Sequence, residues 1–397
     1  MNRQRPVSVS GMGCICAAGK NLPDCMAALF TQAPTPAPPR SIPGAQHPVF
    51  EVPDRFLPAS DFQNEPMVRA VRLALAATNE ALTDAGLIPA ALRGKRVGVV
   101  IGTNVGSGVS NRALQKDLSG TDCSCLSPAE RFRIVNPAQW LARHFDFSGP
   151  HVTIVNACSA GSDAIGLAGT WIRSGRCDVV IAGGTDALYE VTYYGFIALL
   201  NSDTGACKPF DIHRNGLNLG EGAAMMVLES EAMLTNRGKK ARAFVAGYGT
   251  AADAYHLTAP HPEGCGLRVA VQDALAAAGT SPSDIAFINA HGTGTRENDR
   301  VESFFFHQAF PGVPFGSTKG YTGHTLGAAG AIEAAFTIAA LEHQKIPANE
   351  GFNAPDPDLP AHPVAESTEI RGTTALSQTL AFGGNNSVLI FTTGRGA

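Results

Sequence analysis

Three side chains able to do covalent chemistry stand in Gly-flanked segments of this 397-residue chain: the thiol of Cys158 and the imidazoles of His291 and His324. Cys158 ends Val155-Asn156-Ala157-Cys158 behind the β-branched run Val152-Thr153-Ile154, and Ser159-Ala160-Gly161 follows it. His291 ends the similar Ile288-Asn289-Ala290-His291 behind Ile285-Ala286-Phe287, and leads into Gly292-Thr293-Gly294-Thr295. A thiol with an imidazole is a pair that makes and breaks thioesters. His324 closes Ser317-Thr318-Lys319-Gly320-Tyr321-Thr322-Gly323-His324, with Lys319 five positions before it and Glu333 nine after it. Glu333 falls in an apolar stretch where an unpaired carboxylate would be expensive, so a cationic partner such as Lys319 is expected.

The elements that must place these groups alternate between strand and helix patterns. Both N-A endings read as strand ends, where loops carry function on a rigid sheet. A helix predicted over 163–172 puts the Cys158 sulfur near a helix N-terminus, where the backbone dipole favours thiolate. Ser174-Gly175 ends that helix, and a strand over 179–182, closed by Gly183-Gly184, completes a parallel crossover. Periodicity places further helices over 65–85, stopped at Gly86, over 267–278 and over 324–341, and strands over 97–101, 285–288 and 387–392.

Gly11-Met12-Gly13 and Gly247-Tyr248-Gly249 match each other, as do N-A-C and N-A-H, which suggests an α/β fold of two duplicated halves. Cys158 lies 145 positions beyond Gly13 whereas His291 lies only 42 beyond Gly249, so the first half must carry a large insertion. The Pro-rich residues 33–60 read as a surface excursion, and the Gly-, Ser- and charge-bearing residues 104–135 as a cap. The halves are expected to divide as 1–240 and 241–397, with no long linker between them.

Composition narrows the function classes. Hydrophobic content of 44% with 16% charged residues, 43 Gly and 26 Pro fits a compact α/β enzyme and not a disordered or fibrous chain. A net charge of -4 gives no basic footprint for nucleic acid. The start, Met1-Asn2-Arg3-Gln4-Arg5-Pro6, runs into a strand pattern instead of an apolar signal core, so the chain is read as unexported and cytoplasmic. The apolar run 324–341 contains Glu333 and much Ala and Gly, and is read as a buried helix, not a membrane span. Nine cysteines, an odd number, argue against a disulfide framework. Cys14-Ile15-Cys16 and Cys123-Ser124-Cys125 are C-x-C pairs with no nearby His, read as small buried residues or a cap-loop pair; no metal or nucleotide cofactor is implied.

At A-C-S-A-G (157–161), H-G-T-G-T (291–295), K-G-Y-T-G-H-T-L-G-A-A-G-A (319–331) and Phe382-Gly383-Gly384-Asn385-Asn386, the chain resembles the β-ketoacyl-acyl-carrier-protein synthases of the Cys-His-His class. The resemblance spans nearly the whole chain and implies a thiolase-like αβαβα layered fold with the cap in the first half. It implies that Cys158 takes an acyl group from a carrier-protein thioester, with the backbone N–H groups of Cys158 and Phe382 as oxyanion hole. His291 and His324 would hydrogen-bond the malonyl thioester oxygen as carbon dioxide leaves. Lys319, held by Glu333, would tune the field around His324 and Cys158. Thr293 and Thr295 would bind the phosphopantetheine arm, which belongs to the acyl carrier protein and not to this chain, and Phe382 would gate the acyl and malonyl sides.

The resemblance also implies a homodimer, or a heterodimer in which this chain is the active partner of a chain-length-factor-like subunit. A non-catalytic subunit would lack the nucleophile. A thiolase would need a second catalytic cysteine in a C-terminal Gly-rich motif, and a Cys-His-Asn starter synthase would have Asn in place of His324. Asn156 stands where the family usually has Thr before A-C, Asn385 stands where Thr usually follows F-G-G, and the segment 195–211 looks short. These departures lean towards a specialised aryl polyene or polyketide system over primary fatty acid synthesis.

Overall fold

The computed structural model describes residues 7–59, 61–62, 65–105 and 136–394. The first six residues, Cys123-Ser124-Cys125 and almost all of the expected cap lie outside the described residues. The main sheet is built from β1 (Val7–Cys16), β2 (Val97–Gly102), β3 (His151–Ile154), β4 (Val179–Asp186), β5 (Gly222–Glu229), β6 (Ala243–Ala252), β7 (Ile285–Asn289), β8 (Phe315–Gly316), β9 (Thr374–Ala381) and β10 (Asn385–Thr392). The helices are α1 (Leu22–Phe30), α2 (Arg69–Ala85), α3 (Pro137–His144), α4 (Ala160–Arg173), α5 (Glu190–Ala198), α6 (Glu231–Asn236), α7 (Cys265–Ala278), α8 (Arg296–Ala309), α9 (Lys319–Thr322) and α10 (Ala329–His343).

Two runs of five strands are wired identically. Outward from the central antiparallel pair β1 and β6, the order is β1-β5-β4-β2-β3 on one side and β6-β10-β9-β7-β8 on the other. In each run the first three strands pair antiparallel and the last three parallel. Helices α4 and α10 occupy equivalent places, touch each other, and pack on strands of both runs. Every residue of α10 from Ala329 to Leu341 is buried, so this helix is the middle of a layered αβαβα stack. The α2 and α7 helices cover the outer faces, and the matched glycines allow it. A Cβ on Gly11 would lie 2.3 Å from the Ala81 carbonyl oxygen of α2, and one on Gly247 would lie 2.1 Å from that of Ala274 in α7.

The duplication is therefore real, but the N-A-C and N-A-H endings are not its equivalent points. Cys158 follows β3, the third strand of its run, whereas His291 follows β7, the second of its own. The counterpart of the Cys158 turn is the segment after β8 that carries Lys319 and His324. Strand β8 has only two residues, Phe315–Gly316, too few to leave a β-branched signature.

Local chemistry sets the helix ends. Gly86 and Gly279 close α2 and α7 in the left-handed region, at φ 66° and 65°. Asn136 caps α3, its side-chain oxygen accepting from the Gln139 N–H at 2.9 Å, with Pro137 in the first turn. The predicted helix over 65–85 starts at Arg69, because Glu65–Pro66 forms a short strand. The strand ending at Gly183-Gly184 instead runs to Asp186; those glycines serve close approach, a Cβ on Gly183 falling 1.9 Å from the Ala224 carbonyl oxygen. The helix expected from 324 begins only at Ala329, since Gly323 and Leu326, at φ 64° and 53°, break the path into a turn that carries His324. Among the described residues, no helix is long and apolar enough to cross a membrane.

Candidate active site

Cys158 sits between β3 and α4, two residues before the helix begins. Ala157 before it holds φ +49°, a left-handed conformation that costs a non-glycine residue energy and turns the sulfur inward. The thiol is 3% exposed. Burial pushes its pKa up to about 11, while the Phe382 backbone N–H aimed at the sulfur and the charge of Lys319 pull it partly back. The expected lowering at a helix start is thus outweighed by desolvation.

The sulfur and one ring nitrogen from each of His291 and His324 lie within 4.8 Å of one another. The two rings meet edge-on, with centroids 5.2 Å apart. Each ring has its outer nitrogen engaged by a donor. Lys319 Nζ donates to His291 Nδ1 at 3.1 Å, and the Leu326 backbone N–H donates to His324 Nδ1 at 3.1 Å. An Nδ1 that accepts a hydrogen bond leaves the proton of the neutral ring on Nε2, so both histidines present N–H donors inward. Burial first, and then the charge of Lys319, hold both imidazoles well below their ordinary pKa, hence neutral.

Lys319 and Glu333, 1% and 3% exposed in their side chains, form the expected ion pair. The ammonium uses its remaining protons on His291, at Nδ1 and at the backbone carbonyl. Its direct contact is therefore with His291, and its charge reaches His324 and Cys158 through space.

A cavity of about 280 Å³ opens onto these groups. Thr293, Thr295, Phe196, Phe382 and Asn385 are among its walls. The two threonine hydroxyls are 2.8 Å apart. Phe382 stacks on Phe196 with centroids 5.3 Å apart and planes inclined by 13°. Sulfur and two nitrogens at this spacing have the donor types of a zinc site, but nitrogens that carry protons donate hydrogen bonds and do not ligate. Asn385 donates to the Phe382 carbonyl at 3.2 Å, and Asn156 donates to Asp163 at 2.6 Å. The first thus braces the Phe382 turn and the second the Cys158 turn.

Glu302 was not visible from the motifs. It is buried in α8, where its carboxylate accepts from the backbone N–H groups of His291 and Gly292, both at 2.6 Å, and from Asn298 and Gln378. It clamps the turn that carries His291. Its signal is an acid three positions after Asp299, on the helix face shared with Val301 and Phe305, but that face is legible only once α8 is known to pack inward. Phe196 was missed for want of any pattern in α5.

The layered fold, the inward thiol and two donor imidazoles define a class of condensing enzyme, and comparison with known proteins gives the same class. The chain belongs to the β-ketoacyl synthase family: residues 4–233 match the family's N-terminal domain and residues 242–353 its C-terminal domain. It is 36% identical over 342 residues to the tetracenomycin polyketide synthase ketoacyl synthase alpha subunit of Streptomyces glaucescens, covering 81% of this chain and 80% of that one. It is also 36% identical over 339 residues to a 3-oxoacyl-[acyl-carrier-protein] synthase 2 of Synechocystis, covering 82% of each. Among solved structures, the ishigamide ketosynthase/chain length factor aligns with a TM-score of 0.87 at 31% identity, covering 98% of this chain and 99% of that one.

Proposed function

We propose that the cavity performs a decarboxylative Claisen condensation between an acyl group held on Cys158 and a malonyl group on an acyl carrier protein. The observation that carries this reading is the cluster of Cys158, His291 and His324 around one point, with both rings locked as inward donors. Cys158 attacks the carrier thioester, a new carbon–sulfur bond forms, and the carrier thiol leaves with the proton. The Cys158 and Phe382 N–H groups receive the oxyanion of that tetrahedral intermediate. When a malonyl thioester then loses carbon dioxide, the electron pair moves onto the α-carbon and the thioester oxygen. Two neutral Nε2–H donors suit that oxygen, because they stabilise its charge without protonating the carbanion. The carbanion attacks the acyl carbonyl, a carbon–carbon bond forms, and Cys158 is expelled.

In this reading Lys319 and Glu333 fix the His291 tautomer, Thr293 and Thr295 hydrogen-bond the carrier's phosphopantetheine arm, and Phe382 gates the cavity against Phe196. The chain needs no cofactor of its own and works in the cytoplasm. Pathway, whether fatty acid, aryl polyene or polyketide, follows from the acyl group accepted. Intact-mass measurement after incubation with acyl-carrier protein tests the assignment. The parent gains one acyl group, Cys158→Ala gains none, and His291→Ala or His324→Ala loads but does not condense. An acyl adduct persisting on Cys158→Ala would sink the proposal.

The near-complete alignment with a ketosynthase/chain length factor favours a second reading of the assembly, an active subunit paired with a chain-length-factor-like partner. The edge strand β3, followed by Val155 at 60% exposure, supplies a place for a partner strand in either a homodimer or such a heterodimer. Native mass spectrometry of the chain alone separates them: a stable dimer supports the homodimer, and a monomer the heterodimer.

A further inference from the structure

The turn that presents Cys158 is braced by a polar relay that reaches from the second half of the molecule. Asp163, in the first turn of α4, is 6% exposed, and its carboxylate gathers three donors. Asn156 Nδ2 lies 2.6 Å and Ser159 Oγ 2.8 Å from Asp163 Oδ2, and the Tyr248 hydroxyl lies 2.9 Å from Oδ1. Asn156 and Ser159 are also tied directly: the Asn156 amide donates to Ser159 Oγ at 3.1 Å, and the single Ser159 hydroxyl proton is shared between Asp163 and the Asn156 carbonyl, which lies 2.9 Å away. These bonds close around Ala157 and Cys158 from both sides.

Tyr248 comes from β6, between the two glycines that let α7 approach. Its ring lies flat over Gly166 of α4, where a Cβ would stand 2.5 Å from three ring atoms. Only a residue without a side chain at 166 lets the phenol reach Asp163. One element of each half is thus committed to one carboxylate next to the nucleophile.

We infer that Asn156, Asp163 and Tyr248 are positioning residues that hold Ala157 in its left-handed conformation and so aim the Cys158 sulfur at the Phe382 N–H. An alanine at φ +49° relaxes towards negative φ unless its flanks are fixed. The relay is the set of bonds that fixes them. It gives Asn156 a defined role: an amide that reaches Asp163 and Ser159 together.

The inference rests on Cys158 as acyl acceptor, so the test uses an acyl donor that does not need the carrier protein. Two rates at Cys158 are measured by mass spectrometry of the Cys158 peptide, since the exposed Cys265 also reacts: acetylation by p-nitrophenyl acetate, which uses the oxyanion N–H groups, and alkylation by iodoacetamide, which does not. For Asn156→Ala the ratio of acetylation to alkylation falls about tenfold, equivalent to ~1.4 kcal/mol in the barrier. Adding Ala157→Gly recovers the ratio to within about threefold of the parent, because glycine takes positive φ freely. Tyr248→Phe shows a loss of the same sign. An unchanged ratio in Asn156→Ala overturns the inference, and so does a loss that Ala157→Gly leaves uncorrected. A chain that takes acetyl from the ester but none from acyl-carrier protein would sink the proposed function and leave the relay standing.

Discussion

Replacing Lys319 with Met removes one partner of a buried ion pair and keeps the volume. In the parent, Lys319 Nζ bonds Glu333, His291 Nδ1 and the His291 carbonyl, and both charged side chains are almost wholly shielded from water. Breaking such a pair by removing one partner costs about 3–5 kcal/mol, most of it the penalty of a stranded charge. With an unfolding entropy of about 2.1 cal/mol/K per residue, that loss lowers Tm by about 4–6 °C in a chain of this length. Glu333 can escape the penalty by taking a proton. Burial already raises its pKa to about 6 with Lys319 present, and without Lys319 it rises further. A carboxyl whose folded pKa lies above its unfolded value binds its proton in the folded state, so that relief is present at low pH and lost as pH rises. The Lys319→Met deficit is therefore smallest near pH 5 and largest near pH 8, as read by urea denaturation at each pH. The double variant Lys319→Met/Glu333→Leu strands no charge and recovers most of the stability. A single variant as stable as the parent at pH 8, or a double variant no better than the single, would refute this account of the pair.

Glu302→Gln turns an amide N–H towards one of the two backbone N–H groups, of His291 and Gly292, whose hydrogen bonds the carboxylate now accepts. It is expected to cost on the order of 2–4 kcal/mol by urea denaturation, and to slow condensation more than acyl loading because the His291 turn shifts. Thr293→Val and Thr295→Val keep the shape of the cavity wall and remove hydroxyls that are 2.8 Å apart. Each should raise KM for the carrier-bound substrate about three- to tenfold with little change in kcat, as steady-state kinetics would show; an equal loss in kcat would speak against a binding role.

How much of this was legible in the sequence depends on what makes each feature local. Strands β2, β7 and β10 and helices α2, α4 and α7 were visible because burial on a sheet or against α4 and α10 imposes a period over many residues. The Cys158, His291 and His324 motifs were visible because tight turns demand glycine and chemistry demands particular side chains. The N-A-C and N-A-H endings do not mark equivalent points of the two halves, because a short ending repeats by chance while strand order is a property of the whole sheet. The helix near His324 is shorter than its apolar run, since Leu326 takes a positive φ that no residue type announces. Glu302 and the contact of Phe196 with Phe382 are long-range and leave no spacing to read. The thiol's direction of shift was lost for a related reason: dipole placement follows from chain order, but the depth of burial at Cys158 comes from walls supplied by distant segments.

The two imidazoles make acid stability a direct reading of the site. Both are held well below the ordinary value of 6.5, first by burial and then by Lys319. In the unfolded chain they return to about 6.5, so below that pH the unfolded state binds more protons than the folded one. Their contribution is fully present above pH 6.5 and is lost as pH falls. Each histidine adds a slope that is about half of 1.4 kcal/mol per pH unit at pH 6.5 and approaches that full value a unit or more below. His324→Phe removes one of the two titrating groups while filling a site already lined by Phe196 and Phe382. Between pH 6.5 and 5.5 the parent should lose about 1 kcal/mol more than His324→Phe, measured from urea midpoints with the m-value held common. Carboxylates common to both proteins cancel in that difference. Parallel pH profiles for parent and variant would mean that His324 is charged in the folded state, and a charged ring could not be the neutral inward donor that the Leu326 N–H contact defines.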